Sequence, residues 1–155
     1  MQCRRAGTED TENLRRLARE SEAHWGYDET FMDTFDRMFN ITGPFISEHP
    51  VFVFTEEEEV LAQQHALAFW GMIPDRDRGE LEFFYISLDC LNRGYGRRMW
   101  DHMTGWCREN GIRELSFVTS WEATGFYEKM GAVQDGEARS VIDGRPIPHF
   151  TYKVS

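Results

Sequence analysis

Two glycines separated by one residue stand between a strand-like run and an amphipathic helical pattern, in the segment Leu91-Asn92-Arg93-Gly94-Tyr95-Gly96-Arg97-Arg98. Glycine has no Cβ, so the backbone can approach a ligand closely there. The first N–H groups of the following helix have no partner within the helix and carry a partial positive charge. A pyrophosphate suits such a place. The segment therefore predicts a nucleotide-containing cofactor.

Two glutamates, Glu80 and Glu82, precede this turn in a strand predicted over residues 80–88. Because side chains alternate between the faces of a strand, we expect both carboxylates on the face that carries Phe84 and Ile86. A carboxylate beside a reacting amine can take up its proton, directly or through water. The pair is a candidate general base; the alternatives are an edge charge or a recognition group for a cationic substrate.

Other side chains that often carry chemistry are scattered. The five histidines show no metal-ligand spacing, and the three cysteines are odd in number and far apart. Neither a disulfide framework nor a zinc site is indicated, and we expect no metal. Cys107 is expected to be a small core residue.

Composition sets the class of protein. A chain of 155 residues, 41% of them hydrophobic, predicts one domain over residues 1–155. The net charge of -10 disfavours nucleic acid and anionic membranes as partners and is compatible with a cationic substrate. No run approaches the roughly 18 apolar residues of a membrane span, and no apolar stretch follows the N-terminus as in a secretory signal. We therefore expect a cytoplasmic protein.

The periodicity of hydrophobic residues predicts the helices and strands that carry the candidate site residues. The first half predicts a strand at 2–5, helices at 10–22 and 28–39, and a hairpin of strands 49–55 and 60–71 around the glutamates at 56–59. Gly43-Pro44 is expected to end the second helix. The stripe of phenylalanines and methionines on that helix is interpreted as core or, alternatively, as the wall of a substrate groove.

The second half predicts the elements around the glycine turn. They are a strand at 80–88, a helix from the glycines to about Asn110, a strand at 114–119, a helix at 122–130 and a final hairpin of strands 132–142 and 147–154. A helix between two strands makes those strands parallel. The order predicts an α/β domain whose mixed sheet has helices on both faces.

Two other classes of phosphate loop fit the glycine turn poorly. A dinucleotide-binding fingerprint needs a third glycine and a distant acidic residue, but Arg98 and Met99 occupy its continuation. The lysine and hydroxyl residue that close a Walker A loop are missing. A nucleotide-binding oxidoreductase is therefore disfavoured.

The turn resembles the acetyl-CoA motif of the GCN5-related N-acetyltransferase (GNAT) family, Q/R-x-x-G-x-G/A between a strand and a helix. The motif falls on residues 91–96, with Leu91 in place of the usual Gln or Arg. The string from Gly125 to Ala132 is similar to a later signature of the family, with Ala123 at its alanine and Ser120 where asparagine is common. The two motifs together, in a matching order of elements, make the chain resemble a GNAT protein.

This resemblance implies a mostly antiparallel sheet of six to seven strands with a central parallel pair that is splayed for acetyl-CoA. The pantetheine arm would pair with the backbone of one strand, and the pyrophosphate would lie against the turn. Arginine side chains near the turn, Arg98 among them, would add charge-assisted hydrogen bonds to the phosphates. The residues implied in cofactor binding are Ile86, Leu88, Leu91, Asn92, Arg93, Gly94, Tyr95, Gly96, Arg97 and Ser120.

For catalysis, the resemblance implies that Tyr127 protonates the leaving thiolate, a role that a phenol with a pKa of about 10 suits. The N–H of Ile86 would stabilise the oxyanion, and Glu80 or Glu82 would serve as the base. The implied function is acetyl-CoA-dependent transfer of an acetyl group to a primary amine of a small molecule or peptide by direct attack. A homodimer is implied by similar proteins. The alternative is a non-catalytic acyl-CoA-binding module.

Overall fold

The computed structural model describes residues 2–56 and 65–155. The predicted strand start at Val60 and the glutamates at 57–59 lie outside the described residues. Single 3-10 turns occur at Thr8–Asp10, Leu88–Cys90 and Trp121–Ala123. The strands and α-helices are β1 (Gln2–Arg5), α1 (Thr11–Ala23), α2 (Glu29–Met38), α3 (Gly43–Glu48), β2 (Val51–Thr55), β3 (Ala66–Asp75), β4 (Arg78–Ile86), α4 (Tyr95–Glu109), β5 (Glu114–Val118), α5 (Thr124–Lys129), β6 (Val133–Arg139) and β7 (Pro146–Lys153).

One mixed sheet joins the strands in the order β1-β2-β3-β4-β5-β7-β6. Neighbouring strands are antiparallel except β4 and β5, which run parallel. The helix α4 makes the crossover that parallel neighbours need. The predicted α/β fold, with a mostly antiparallel sheet and a central parallel pair, is confirmed.

The parallel pair separates after a short ladder. Residues Arg78–Glu80 pair with Glu114–Ser116, although β4 continues to Ile86 and β5 to Val118. The edges of the two strands beyond this ladder face an opening in the middle of the sheet. This is the splay that the family resemblance implies.

A β-bulge in β4 shifts the alternation of its side chains. Gly71 of β3 pairs with Phe83, while the next residue, Met72, pairs with Leu81. Glu82 is therefore an extra residue without a partner in the ladder. The alternation of side chains between the two faces of the sheet therefore shifts by one residue at Glu82.

Core contacts on the two sides of the bulge show its consequence. Leu81 and Phe84 pack in the same hydrophobic cluster although they are three positions apart. Glu80, adjacent to Leu81, points to the opposite face, where Phe83 packs. The prediction that the two glutamates share a face with Phe84 and Ile86 is therefore wrong, because the bulge interrupts the alternation.

Helices cover both faces of the sheet, as predicted. On one face α4 and α5 pack over a core that includes Trp70, Leu115 and Phe150. On the other face α1, α2 and α3 pack over Val53 and Phe69. Among the described residues, no helix is both long and apolar enough to cross a lipid bilayer.

Two local features differ from the sequence prediction. Gly43-Pro44 begins α3 instead of ending α2, because the Thr42 side chain accepts a hydrogen bond of 3.2 Å from the N–H of Phe45 and proline suits a first helical turn. The strand β4 ends at Ile86, so Leu88 lies in a 3-10 turn rather than in the strand.

Candidate active site

A cleft of about 560 Å³ lies between the end of β4, the start of α4 and α5; we call it the glycine-turn cleft. Most residues predicted to bind the cofactor line it, namely Ile86, Leu88, Leu91, Asn92, Gly94, Tyr95, Gly96 and Arg97. Arg93 and Arg98 are exposed, and in the described part of the chain neither they nor Ser120 belong to this lining.

The start of α4 is built to receive an anion. Gly94 is its N-cap with φ +81, and a Cβ added there would meet nothing within 4 Å. The first turn bond runs from the N–H of Arg98 to the carbonyl of Gly94 at 3.2 Å, which leaves the N–H groups of residues 95–97 without helical partners. The first turn carries no acidic residue and the N-cap provides no side-chain bond. A polyanion would therefore satisfy both the free donors and the helix dipole.

Gly96 has a different reason to be glycine. A Cβ at this position would lie 2.8 Å from Cε1 of Phe126 and 3.2 Å from Cδ1 of Ile86. The second glycine of the motif therefore lets α4 pack closely on α5 and β4, while Gly94 provides the left-handed turn. Both requirements are local, and together they fix the position of the free N–H groups.

The edge of β4 supplies backbone groups to the cleft. The N–H of Ser87 donates to the carbonyl of Leu67 in the sheet at 2.7 Å. Because successive N–H groups of a strand point in opposite directions, the N–H of Ile86 faces the opening. The carbonyl of Ile86 accepts a hydrogen bond of 3.0 Å from Oγ of Ser21, which also lines the cleft. The sequence analysis did not assign Ser21 to the site.

A second cavity of about 360 Å³ reaches the same point from the α2 side; we call it the aromatic cavity. Its rings come from α2 and the residues that flank it, and from β4, β5 and α5. They are Tyr27, Phe31, Phe35, Phe39, Phe83, Phe84, Tyr85, Phe117 and Tyr127. Ser120, which the resemblance implies in cofactor binding, lines this cavity and not the cleft, and its side chain makes no capping hydrogen bond. Phe84 and Tyr127 line both the cleft and the cavity, so the two spaces meet there.

Tyr127 lies at this meeting point and is only 7% exposed. Burial raises the pKa of its phenol above the ordinary value, although a hydrogen bond with the Thr119 side chain opposes the shift. The hydroxyl is therefore protonated at neutral pH, the state that a proton donor needs. Its ring is held against Phe117, with centroids 4.6 Å apart.

Glu82, the extra residue of the bulge, lines the aromatic cavity. Burial of the carboxyl and the charge and hydrogen bond of the adjacent Glu80 raise its pKa from 4.5 to about 7. The side chain nevertheless reaches solvent, so that protons can exchange. A carboxylate with a pKa near neutrality is suited to general-base work.

Glu22 of α1 is a second acid of the cavity, and the sequence did not single it out. Its Oε1 accepts a hydrogen bond of 2.7 Å from the hydroxyl of Tyr85, across 63 positions of sequence. Burial raises the pKa of Glu22, although its bond to Tyr85 opposes the shift. No local pattern signals a contact over such a separation.

A glycine-turn cleft and a cavity that meet at a buried tyrosine fit an enzyme that brings a cofactor to a second substrate. The model of the acetyltransferase (GNAT) family matches residues 11–132. The chain belongs to the GNAT family. This confirms the resemblance stated above and makes the protein an acetyltransferase. A search of curated proteins by sequence found no match.

Solved N-acetyltransferases share the fold of this GNAT protein. The ribosomal-protein-S18-alanine N-acetyltransferase from Escherichia coli has a TM-score of 0.72 at 17% identity, with 99% of this chain and 94% of that chain covered. PaiA N-acetyltransferase from Thermoplasma acidophilum, in complex with coenzyme A, has a TM-score of 0.74 at 17% identity, with 98% of each chain covered. N-acetylglutamate synthase from Neisseria gonorrhoeae, complexed with coenzyme A and N-acetyl-glutamate, has a TM-score of 0.68 at 15% identity, with 99% of this chain and 35% of that chain covered.

Proposed function

We propose that this GNAT protein transfers an acetyl group from acetyl-CoA to the primary amine of a small molecule or peptide by direct attack. The observation that carries the proposal is the meeting of the glycine-turn cleft with the aromatic cavity at Phe84 and Tyr127. A cofactor in the cleft and an amine in the cavity reach the same point, so no acyl-enzyme is needed. Positioning of this kind accounts for a large share of the rate enhancement in bimolecular reactions.

The cofactor is acetyl-CoA, and the walls of the cleft fit its chemistry. The N–H groups of Tyr95, Gly96 and Arg97 suit its pyrophosphate. Coenzyme A is present in the PaiA structure, which shares the fold. When bound, acetyl-CoA supplies an acetyl thioester that is activated toward amines.

Glu82 acts as the base in this proposal. An amine must lose its proton to attack a carbonyl, and a carboxylate with a pKa of about 7 can hold that proton at neutral pH. Glu80 assists because its negative charge helps to raise the pKa of Glu82. The solvent-reaching side chain then passes the proton to water.

Tyr127 acts as the acid, and the N–H of Ile86 acts as the oxyanion donor. The Tyr127 phenol carries its proton at neutral pH, so its O–H can donate to the sulfur as the C–S bond breaks. The N–H of Ile86 faces the opening of the sheet, where a developing oxyanion can accept its hydrogen bond. These two donors come from α5 and β4.

Titration with acetyl-CoA and a thiol-release assay with a panel of primary amines test this function. We expect acetyl-CoA to bind, NAD not to bind, and free thiol to appear only when an amine is present. Binding without thiol release for every amine would support the non-catalytic module instead. Thiol release that is independent of amine would exclude direct transfer.

A further inference from the structure

Arg145 lies in the hairpin that joins β6 and β7, and it lines the aromatic cavity. Its guanidinium carbon lies 4.3 Å from the ring centroid of Tyr27 and 5.2 Å from that of Phe31. All three residues line the cavity. The stacking brings the hairpin onto α2 and its preceding segment, so the guanidinium is part of the cavity wall.

Arg145 pairs with an acid through only one of its nitrogens in the described structure. Asp143 lies 3.3 Å from its Nε, which is buried and, within the described residues, makes no hydrogen bond. The side chain as a whole is 40% exposed and lines the cavity. The two terminal nitrogens of a guanidinium carry further N–H donors, and these are suited to bind an anionic group.

The cavity carries groups of both charges. Glu82 and Tyr127 line it from β4 and α5, and Arg139 and Arg145 line it from the end of β6 and the β6–β7 hairpin. Tyr127 also lines the cleft, so it marks the point where the cavity and the cleft meet. Aromatic rings make up much of the remaining wall.

We propose that Arg145 binds a carboxylate of the acceptor, and that the acceptor is an amine separated from its carboxylate by an apolar spacer. The amine lies between Glu82 and the cleft, the spacer lies against the rings, and the carboxylate lies against the guanidinium. This inference rests on the proposed function, because it needs the amine at the end of the cavity where the cleft begins.

Calorimetric titration of the coenzyme A-loaded protein tests the assignment with two probes that differ in one group. The probe 4-(aminomethyl)benzoate carries an amine and a carboxylate on opposite sides of a ring, and 4-(aminomethyl)benzamide carries a neutral amide instead. We expect the benzoate to bind about 10- to 100-fold more tightly, the usual range for a charge-assisted hydrogen bond. Arg145→Gln should remove this difference and leave the affinity for the benzamide unchanged. Phenylalanine, with no spacer, should bind more weakly than the benzoate.

Two variants of the same protein serve as controls. Arg78→Gln changes an exposed arginine at the start of β4, 3.7 Å from Glu114, and should keep the full preference for the benzoate. Arg145→Lys keeps a positive charge without the planar fork and should keep part of the preference. Melting curves of all variants check that each is folded.

Three results would overturn the assignment. They are equal affinity for the two probes, binding of neither probe, and an Arg145→Gln variant that loses affinity for both probes alike. The last result would mean that Arg145 only holds the hairpin on α2. The proposed function is judged separately, because thiol release from acetyl-CoA with the benzamide as acceptor supports it whichever probe binds better.

Discussion

The glycine-turn cleft and the aromatic cavity meet at one tyrosine, yet different kinds of chemical group line them. The cleft takes most of its ligand-facing groups from one continuous segment, residues 84–97, and many of them are main-chain N–H groups. The aromatic cavity takes its walls from α2, β4, β5 and the β6–β7 hairpin. Its polar groups are side chains, among them Glu22, Glu82 and Arg145.

The two sites should therefore tolerate different substitutions. Main-chain donors do not depend on residue type, so we expect the cleft to tolerate Leu91 in place of the usual Gln or Arg. The cavity depends on individual functional groups, each of which can be exchanged without changing the fold. We therefore expect the cleft to fail when bulk or charge is added and the cavity to fail when one group is removed.

Gly94→Glu should have the largest effect, a loss of acetyl-CoA affinity of more than about 100-fold. The new side chain would start in the open space before α4, in a backbone conformation with φ +81 that disfavours it. Its carboxylate would occupy the free N–H groups and repel the phosphates. Calorimetric titration measures the affinity. Gly94→Ala, which adds strain of about 1 kcal/mol without charge, should lose much less. Equal affinity in Gly94→Glu would mean that the phosphates bind elsewhere.

Tyr127→Phe should lower kcat by about 100-fold while the affinity for acetyl-CoA stays nearly unchanged. The ring that packs on Phe117 is kept, and only the proton donor is lost. Steady-state kinetics and titration separate the two quantities. Thr119→Val is the matched control, because it removes the partner of the hydroxyl and keeps the hydroxyl itself. Full turnover in Tyr127→Phe would take the acid role away from this residue.

Glu82→Gln should lower kcat/KM by about tenfold and change its pH dependence. In the wild-type protein the rate should rise through about pH 7 as Glu82 becomes ionised. Glu80→Gln should move that inflection to lower pH, because the charge of Glu80 helps to raise the pKa of Glu82. A profile that is the same in all three proteins would point to a water chain or to the amine alone.

The smallest expected effect is on stability. Because the pKa of Glu82 is about 7 in the folded protein and 4.5 ordinarily, its favourable contribution is present at low pH and is lost as the pH rises from 4.5 through 7. Glu82→Gln should therefore melt at a higher temperature than the wild type at pH 8 and at a similar temperature at pH 4. Solvent screening of this side chain keeps the gain to at most about 3 °C. A lower melting temperature at pH 8 would show that the carboxylate stabilises the bulge.

The cleft could be predicted from the sequence because one continuous segment of the chain forms most of it. The glycine turn, the strand before it and the helix after it are neighbours in the chain, and local patterns report local structure. The family and the fold are confirmed. The observed α4 and β5 begin and end close to their predicted bounds.

The aromatic cavity could not be predicted, because its groups come from distant parts of the chain. Glu22 meets Tyr85 across 63 positions, and the bulge at Glu82 leaves no mark in a pattern of alternating residues. The sequence pattern allows the stripe on α2 to be either core or the wall of a groove, and in the structure Phe31 and Phe35 of that stripe line the cavity. The roles of the site residues, the single domain, the homodimer and the cytoplasmic location stay predictions.

The unpaired position in β4 has a consequence for how such a protein can change over time. Each half of the strand is already in register with β3, from Arg78 to Leu81 and from Phe83 to Ile86. Removal of the one surplus residue between them would join the two halves into a regular ladder with every neighbour still on its own side. Loss of a single codon would thus delete the proposed proton acceptor and keep the architecture whole.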